Sequence, residues 1–274
     1  MLYFYHICII KGGKTLMDLK TEALKIYKYN PLIKGRIIGQ LTEKDFLLNE
    51  IFLRLAQKEM RQQLFCPFQP LNFHIHMPEL KKMLYEKDKA PLLWRRDIKN
   101  SLTRLRNLTI EIKNYEIPDE TFLEEEDYIL SSNKEVKTQK IEYACFGLVE
   151  EPEIIDNVLY WRYSKYMVFW AWYKKNYTHL NIYDIRKMNS KYAQRIYEYI
   201  EYYKSLNAKR NNITDAITLG RQEFESIISL SNTSVGVLFQ KIHLNLTLRE
   251  LRKIYPNIEI SSPPRSNIIE IKNI

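Results

Sequence analysis

A tyrosine-rich segment and a His-X-His pair are the residues of this sequence whose types and spacing could do chemistry. Residues 189–204 read NSKYAQRIYEYIEYYK and contain five tyrosines, Tyr192, Tyr197, Tyr199, Tyr202 and Tyr203. Upstream, FHIHM (73–77) places His74 and His76 two positions apart. Two imidazoles can bind a metal ion and a tyrosine can attack a metal-bound phosphate, so the combination could belong to a metal-dependent DNA-nicking enzyme.

A structural role for the same residues is the alternative that periodicity favours. Helical spacing puts three of the tyrosines on one apolar face, Tyr192, Tyr197 and Tyr203. We expect these rings to be buried and Tyr199 and Tyr202 to be the exposed candidates for a nucleophile. In FHIHM, alternation puts both histidines on one face of a strand, and no third metal ligand is suggested nearby.

Charge is distributed unevenly along the chain, which has 274 residues and a net charge of +9. Residues 1–156 contain 24 basic and 24 acidic side chains, whereas residues 157–274 contain 18 basic and 9 acidic ones. A basic excess confined to one part suits a polyanionic partner, most simply nucleic acid. A basic surface that serves only solubility is the alternative.

Composition narrows the class of protein. Hydrophobic residues make up 45% and charged residues 27% of the chain, which indicates a globular protein. Cys8, Cys66 and Cys145 form no C-x-x-C pair, so neither a disulfide framework nor a zinc knuckle is expected, and a reducing cytoplasm is the predicted location. The apolar start MLYFYHICII is too short to span a bilayer, so we expect no membrane partner.

The C-terminal segments follow the order helix, strand, helix, turn, helix and hairpin, which is typical of a winged helix. The predicted elements are a helix over 189–204, a strand at 216–219, a helix at 221–230, a turn at 231–234, a helix at 235–254 and strands at 257–260 and 267–271. In such a unit the third helix enters a DNA groove and the hairpin flanks it.

The same order is predicted upstream. Its elements are a helix that follows Thr42, a strand at 71–77, helices at 78–86 and 90–108, and sheet strands at 108–112, 140–149 and 157–164, with an acidic excursion at 114–127. We therefore predict an α+β fold of two tandem winged-helix domains, at 28–176 and 177–274, after an N-terminal extension over 1–27. The apolar run in YMVFWAWYKKNY (166–177) is predicted to be a buried linker, in which Trp170 and Trp172 pack in the core.

The segment YTHLNIYDIRKMNSKYAQRIYEYIEYY (177–203) resembles the motif of plasmid replication initiators of the RepA/RepB/RepE superfamily. The positions that match its Ser-x-Tyr-Ala-x-Arg-apolar-Tyr helix are Ser190, Tyr192, Ala193, Arg195, Ile196 and Tyr197. Residues 30–56 look like the family's N-terminal opening, and 238–254 are similar to its last long helix. In that helix Ile242 and Leu246 stand where the family commonly has basic residues or a proline.

This resemblance implies a function without catalytic residues or a cofactor. Such initiators bind direct repeats (iterons) of double-stranded origin DNA as monomers, help to open the adjacent AT-rich duplex, and recruit the host DnaA protein and replicative helicase. As homodimers they bind an inverted-repeat operator and repress their own gene. The resemblance also implies that the N-terminal winged helix carries the dimer surface and that the C-terminal one makes most base contacts.

Candidate DNA-binding residues lie on both predicted third helices. In the second unit they are Asn232, Thr233, Ser234, Lys241, Asn245, Arg249, Arg252 and Arg265. Lys241 and Asn245 are predicted to read base edges, since lysine can donate to guanine and asparagine can pair with adenine, while Arg249 and Arg252 suit phosphates. The three residues at 232–234 precede the helix, where free N–H groups favour a phosphate, and Arg265 at the hairpin tip suits a phosphate or the minor groove.

In the first unit, the predicted DNA-binding residues are Arg95, Arg96, Lys99 and Arg104. Leu238 and Ile242 lie close to the basic stripe of the second unit, where they could contact thymine methyl groups or could indicate a different helix phase.

Two functional alternatives remain open. One is a rolling-circle nicking endonuclease that uses His74, His76 and a tyrosine, because Tyr199 and Tyr203 have the spacing of some nickase tyrosine pairs. The other is a winged-helix transcription regulator.

Overall fold

Helices and strands alternate along the residues that the computed structural model describes, which are 25–34, 36–39, 41–62, 72–85, 90–118, 138–164, 167–168, 177–209, 216–228, 241–262 and 267–274. The helices are α1 (Asn30–Lys34), α2 (Glu43–Gln62), α3 (Met77–Leu84), α4 (Trp94–Arg106), α5 (Ile182–Lys187), α6 (Lys191–Lys209), α7 (Arg221–Ile228) and α8 (Lys241–Leu251). The strands are β1 (Lys25–Tyr29), β2 (Arg36–Ile38), β3 (Asn72–His76), β4 (Thr109–Pro118), β5 (Thr138–Gly147), β6 (Glu150–Ile155), β7 (Val158–Arg162), β8 (Tyr177–Asn181), β9 (Ala216–Gly220), β10 (Glu259–Ser261) and β11 (Ile268–Lys272).

In the N-terminal winged helix, a short strand runs directly into a helix. Phe73 and Ile75 of β3 face the core while the alternate residues face solvent. Pro78 lies in the first turn of α3, where its missing N–H leaves no helical hydrogen bond unmade. β3 pairs with β7 and β7 with β6, and this sheet packs with α2, α3 and α4. The wing of the unit is therefore the β6–β7 hairpin.

The C-terminal winged helix repeats this arrangement. β9 has the same burial pattern as β3 and runs directly into α7, and its sheet has the order β10-β11-β9. One backbone hydrogen bond recurs at the same place in both units. The N–H of Met77 donates to the carbonyl oxygen of Asn157 at 2.9 Å, and the N–H of Arg221 donates to the carbonyl oxygen of Asn267 at 2.7 Å. The predicted α+β fold with two tandem winged helices is confirmed, and the duplication extends to the strand order.

The sheet of the first unit differs from its prediction. The strands predicted at 108–112 and 140–149 form a long β4–β5 hairpin that pairs with β2 in a separate sheet. The wing instead uses β6, a strand that alternation did not predict. Asp156 and Asn157 both have positive φ, 47° and 66°, and close a two-residue hairpin of the kind that matches strand twist. Of the predicted acidic excursion, 114–118 belongs to β4 and 119–127 lies outside the described residues.

The two units are joined by a strand pair that the sequence analysis did not predict. β1 pairs with β8 in an antiparallel ladder from Lys25–Asn181 to Tyr29–Tyr177. The first strand of the described residues begins at Lys25, and the predicted boundary of the extension at residue 27 falls inside it. Of the predicted buried linker at 166–177, Met167 and Val168 are buried and Tyr177 begins β8. Its other residues, including Trp170 and Trp172, lie outside the described residues.

A buried set of charges connects the same two units, and we name it the interdomain charge cluster: Lys28, Glu50, Arg195 and Glu198. The ammonium of Lys28 contacts a carboxylate oxygen of Glu50 and one of Glu198, each at 2.6 Å. Arg195 contacts the other oxygen of Glu198 at 2.7 Å and donates to the carbonyl oxygens of Ile33 and Ile227. Because α6 supplies two members and β1 and α2 the others, the cluster fixes one unit against the other.

Burial and pairing act in opposite directions on these charges. Burial alone would lower the pKa of Lys28, but the carboxylates of Glu198 and Glu50 hold that pKa above its ordinary value. Burial raises the pKa of Glu50, and the ammonium of Lys28 opposes that rise. The charged state of the cluster therefore depends on all its members being present.

Candidate nucleic-acid interface

The tyrosines of α6 are covered on both sides of the helix. Tyr197 is buried as predicted, and Tyr192 and Tyr203 are partly buried against the core. The prediction that Tyr199 and Tyr202 are exposed is wrong, since their exposed fractions are 4% and 7%. The reason is that α6 packs against α1, α2, α7, α8 and β8. More of its surface is therefore buried than the single apolar face that periodicity indicates.

Tyr199 has an internal partner rather than a free hydroxyl. Its hydroxyl donates to Oε1 of Glu223 on α7 at 3.0 Å. Burial and the nearby carboxylate of Glu223 raise the pKa of Tyr199 well above its ordinary value. A nucleophilic tyrosine needs an accessible and easily deprotonated phenol, and Tyr199 has the opposite surroundings.

His74 and His76 lie on the solvent face of β3, as alternation predicts. The ring of His74 lies beside that of Tyr160 on β7, with 6.0 Å between centroids. Within the described ranges, no group of three or more His, Cys, Asp or Glu side chains is arranged to hold a metal ion.

Three of the predicted DNA-binding residues of the C-terminal unit lie in described parts of α8 and the turn after it, and all three are exposed. Asn245 and Arg249 lie on its outward face, with 70% of the Arg249 side chain exposed, and Arg252 is exposed in the following turn. Thr247, Glu250 and Leu251 face the core instead. The predicted stripe therefore has the correct phase over its C-terminal part.

Several predicted DNA-binding residues of the C-terminal unit lie outside the described part of the structure. Lys241 begins α8, but its side chain, like that of Ile242, is outside the description. The residues wholly outside the described ranges are Asn232, Thr233, Ser234, Leu238 and Arg265. Their DNA contacts stay predictions.

Glu250 and Lys253 fix the C-terminal end of α8. The buried carboxylate of Glu250 accepts from the backbone N–H of Asn189 at 2.8 Å and from the ammonium of Lys253. Burial would raise the pKa of Glu250, but these hydrogen bonds and the positive charges hold it below its ordinary value. Lys253 also donates to the carbonyl oxygen of Lys187 at 2.7 Å. The helix that carries the basic stripe is thus held against the loop that precedes α6.

Helix α4 presents the equivalent face in the first unit. Arg95, Arg96 and Lys99 are exposed, whereas Ile98, Leu102 and Leu105 are in the core. The guanidinium of Arg95 donates to Oδ1 of Asn157 in the wing turn at 2.7 Å and lies over the ring of Trp94. Helix α4 and the wing are therefore linked through Arg95.

Arg104 was grouped with this basic face, but the structure gives it an internal partner. Its guanidinium donates to both carboxylate oxygens of Asp45, at 2.7 and 2.9 Å. Asp45 is fully buried, and its Oδ2 accepts from the N–H of Thr42 at 2.8 Å while its own N–H donates to Oγ1 of Thr42 at 3.3 Å, a capping box at the start of α2. Arg104 thus anchors α4 to α2, with a third of its side chain left exposed.

A cleft of about 480 Å³ lies between the two units. Its N-terminal side includes Lys44 and Asp97, and its C-terminal side includes Arg186, Lys187 and Lys253. Asp97 and Ile98 belong to α4, and Lys253 lies in the turn after α8, so the cleft is bordered by α4 and by the C-terminal end of α8.

The family of the chain follows from comparison with known sequences. The model of the family described as "Initiator Replication protein, WH1" matches residues 25–201, well over half of the chain. The chain belongs to this initiator replication protein family. The match begins with β1 and ends inside α6, so it includes the β1–β8 pair and the interdomain charge cluster.

The fold of this initiator is shared by a solved structure of another initiator. A crystal structure of the Pi initiator protein in complex with iteron DNA superposes with a TM-score of 0.50 at 15% identity, covering 93% of this chain and 99% of that one. A structure of domains 2 and 3 of RctB gives a TM-score of 0.43 at 11% identity, covering 85% and 83%. A search of curated proteins finds none that matches.

The motif that resembles initiators has a structural role in this chain. The hydroxyl of Ser190 accepts from the N–H of Ala193 at 3.3 Å at the start of α6. Arg195 belongs to the interdomain charge cluster, and the hydroxyl of Tyr197 accepts from the N–H of Asn181 at 3.2 Å. Arg195 and Tyr197 of the motif therefore help to position the two winged helices of this initiator.

Some features of the interface were missed by the sequence analysis. Leu92 and Leu246 are exposed beside the basic residues of α4 and α8, and Arg186 and Lys187 border the cleft. Spacing on α8 gave a signal for Leu246, since it lies next to Asn245 on the outward face. No signal was available for the cleft, which exists only once the two units are packed together.

In the described part of this initiator, no helix is long and apolar enough to cross a membrane.

Proposed function

We propose that this initiator binds direct repeats of a plasmid origin as a monomer, with α8 and α4 in successive major grooves. The observation that carries the proposal is that both third helices of the duplicated fold expose basic or amide side chains on one face. These are Asn245, Arg249 and Arg252 in one unit and Arg95, Arg96 and Lys99 in the other. An iteron-bound protein of similar fold supports the same type of ligand.

The C-terminal unit makes most of the base contacts in this proposal. Residues 157–274 hold the entire positive excess of the chain. Asn245 reads an adenine edge and Lys241 a guanine edge, while Arg249 and Arg252 bind phosphates. The N-terminal unit makes fewer contacts, since Arg95 is already held by the wing and Arg104 by Asp45. Arg96 and Lys99 are its exposed cations for phosphates.

Binding of the repeats leads, in this proposal, to opening of adjacent AT-rich DNA and recruitment of the host DnaA protein and replicative helicase. A homodimer formed through the N-terminal unit binds an inverted-repeat operator and represses the gene. The family membership supports these steps. The proposal includes no catalytic step, and the burial of Tyr199 and Tyr202 supports that part.

Footprinting on the plasmid that encodes the protein tests the proposal. We expect protection of several tandem repeats beside an AT-rich segment, with a log–log salt slope of about −7 if about eight phosphates are neutralised. Arg249→Ala is expected to reduce the magnitude of that slope by about 1, whereas Lys58→Ala, an exposed lysine of α2, leaves it unchanged. Protection of one isolated site would favour a transcription regulator, and nicking of supercoiled plasmid with Mg²⁺ would overturn the non-catalytic proposal.

A further inference from the structure

An exposed leucine lies on the DNA-facing side of α8. Leu246 is 42% exposed, next to Asn245 and one helical turn before Arg249. Thr247, Leu251 and the partly buried Leu248 provide the inward packing of the helix, so the core does not require a leucine at position 246. The side chain of Leu246 is therefore available to an apolar group of a bound ligand, and covering it would contribute to binding.

The first unit repeats the feature. Leu92 is 96% exposed and Leu93 48% exposed, and they directly precede Trp94, the first residue of α4, with its basic residues. Other large apolar side chains are exposed in the described part of the chain, but those lie on strands, as Tyr143, Ile155, Tyr160 and Ile268. Among the described helices and the turns beside them, exposure of large apolar groups is thus confined to the two helices expected to enter DNA.

The major groove offers one apolar group to such a side chain. Base edges there present hydrogen-bond donors and acceptors, except for the C5-methyl group of thymine. We propose, on the basis of the function proposed above, that Leu246 and Leu92 contact thymine methyl groups and thereby select thymine at one position in each half of the repeat. The neighbouring Asn245 and Arg95 supply the polar contacts around each leucine.

Replacing thymine with deoxyuridine tests this directly, because it removes only the methyl group. A duplex is first selected from a random pool by the full-length protein, and each thymine is then replaced singly. For the wild type we expect one sensitive position per leucine, with binding about fourfold weaker, the effect of exposing roughly one methyl group. Leu246→Ala should abolish sensitivity at one of these positions and keep the other, and Leu92→Ala should do the reverse.

Two matched variants complete the test. Leu246→Met retains an apolar contact and should retain sensitivity to the methyl group, and Tyr143→Ala, which removes an exposed apolar group from β5 in the separate β2-β4-β5 sheet, should leave both positions sensitive. If no thymine is sensitive, or if the alanine variants keep the wild-type pattern, the leucine contacts are refuted while repeat binding stands. If the pool yields no preferred sequence, the proposed function itself fails.

Discussion

Replacing Lys28 with methionine removes the cation that both Glu50 and Glu198 contact at 2.6 Å in the interdomain charge cluster. The side chains of all three residues are at most 5% exposed, so water cannot replace the lost ammonium without rearrangement. Removing one partner of a buried ion pair costs about 3–5 kcal/mol. Glu198 keeps its contact with Arg195, so the loss falls mainly on Glu50, and we expect one such penalty rather than two.

Urea unfolding followed by circular dichroism measures this penalty. Near neutral pH, the Lys28→Met variant should lose about 3–5 kcal/mol of unfolding free energy, and the loss should shrink near pH 5. The sign follows from Glu50: burial raises its pKa and the ammonium of Lys28 opposes that rise, so without Lys28 the pKa of Glu50 is higher still. The neutral form is favoured in the folded variant, so the variant regains stability as pH falls and loses it as pH rises through the folded pKa.

Lys44→Met is the matched control, because Lys44 pairs with Asp97 at 3.7 Å with side chains 47% and 31% exposed. An exposed pair of this kind contributes less than about 1 kcal/mol. A Lys28→Met variant that unfolds within about 1 kcal/mol of the wild type, or whose deficit is the same at both pH values, would refute the reasoning.

Three further predictions concern other buried contacts. Arg104→Gln should lower the unfolding free energy, measured in urea, by about 2 kcal/mol, since it breaks the two hydrogen bonds to Asp45. It should change the salt slope of DNA binding less than Arg249→Ala does. A larger change in salt slope for Arg104→Gln than for Arg249→Ala would identify Arg104 as a DNA contact. Tyr199→Phe should cost about 1 kcal/mol through loss of the bond to Glu223 and leave repeat binding intact, which denaturation and footprinting check. Because burial raises the pKa of Tyr199, its neutral form is favoured on folding, so stability should fall as pH rises above about 10. Exposed tyrosines such as Tyr143 ionise in the folded protein, and a second rise in tyrosinate absorbance, from the buried tyrosines, should coincide with unfolding.

Local patterns predicted the repeated winged-helix elements well. Alternation in β3 and β9, the proline at the start of α3 and the helical spacing of α4 and α8 all reflect contacts within a few residues. The β1–β8 pair and the interdomain charge cluster join residues far apart in the chain, such as Lys28 and Glu198, and single-chain periodicity contains no information about such pairs. The β6–β7 hairpin did have a local signal, because Asp and Asn favour the left-handed conformations that its turn requires.

The candidate interface could be predicted only where exposure follows from helix phase. Asn245, Arg249 and Arg95 lie on outward faces for that reason. Arg104 has a similar phase, but Asp45 on α2 binds it, and no spacing rule reveals a partner so distant in sequence. Tyr199 is buried by the packing of α7, which periodicity within α6 cannot show.

The pairing of β1 with β8 has a consequence for dissecting the protein. Cutting the chain between 168 and 177 separates the two winged helices in sequence, yet each product would keep one half of a five-residue ladder. The released piece that starts at Tyr177 would have an open strand edge, a template for joining further copies. It would also bring Arg195 and Glu198 to the surface without Lys28. Fragments that begin at β8 should therefore self-associate, and supplying a peptide with the sequence of residues 25–29 should suppress that association.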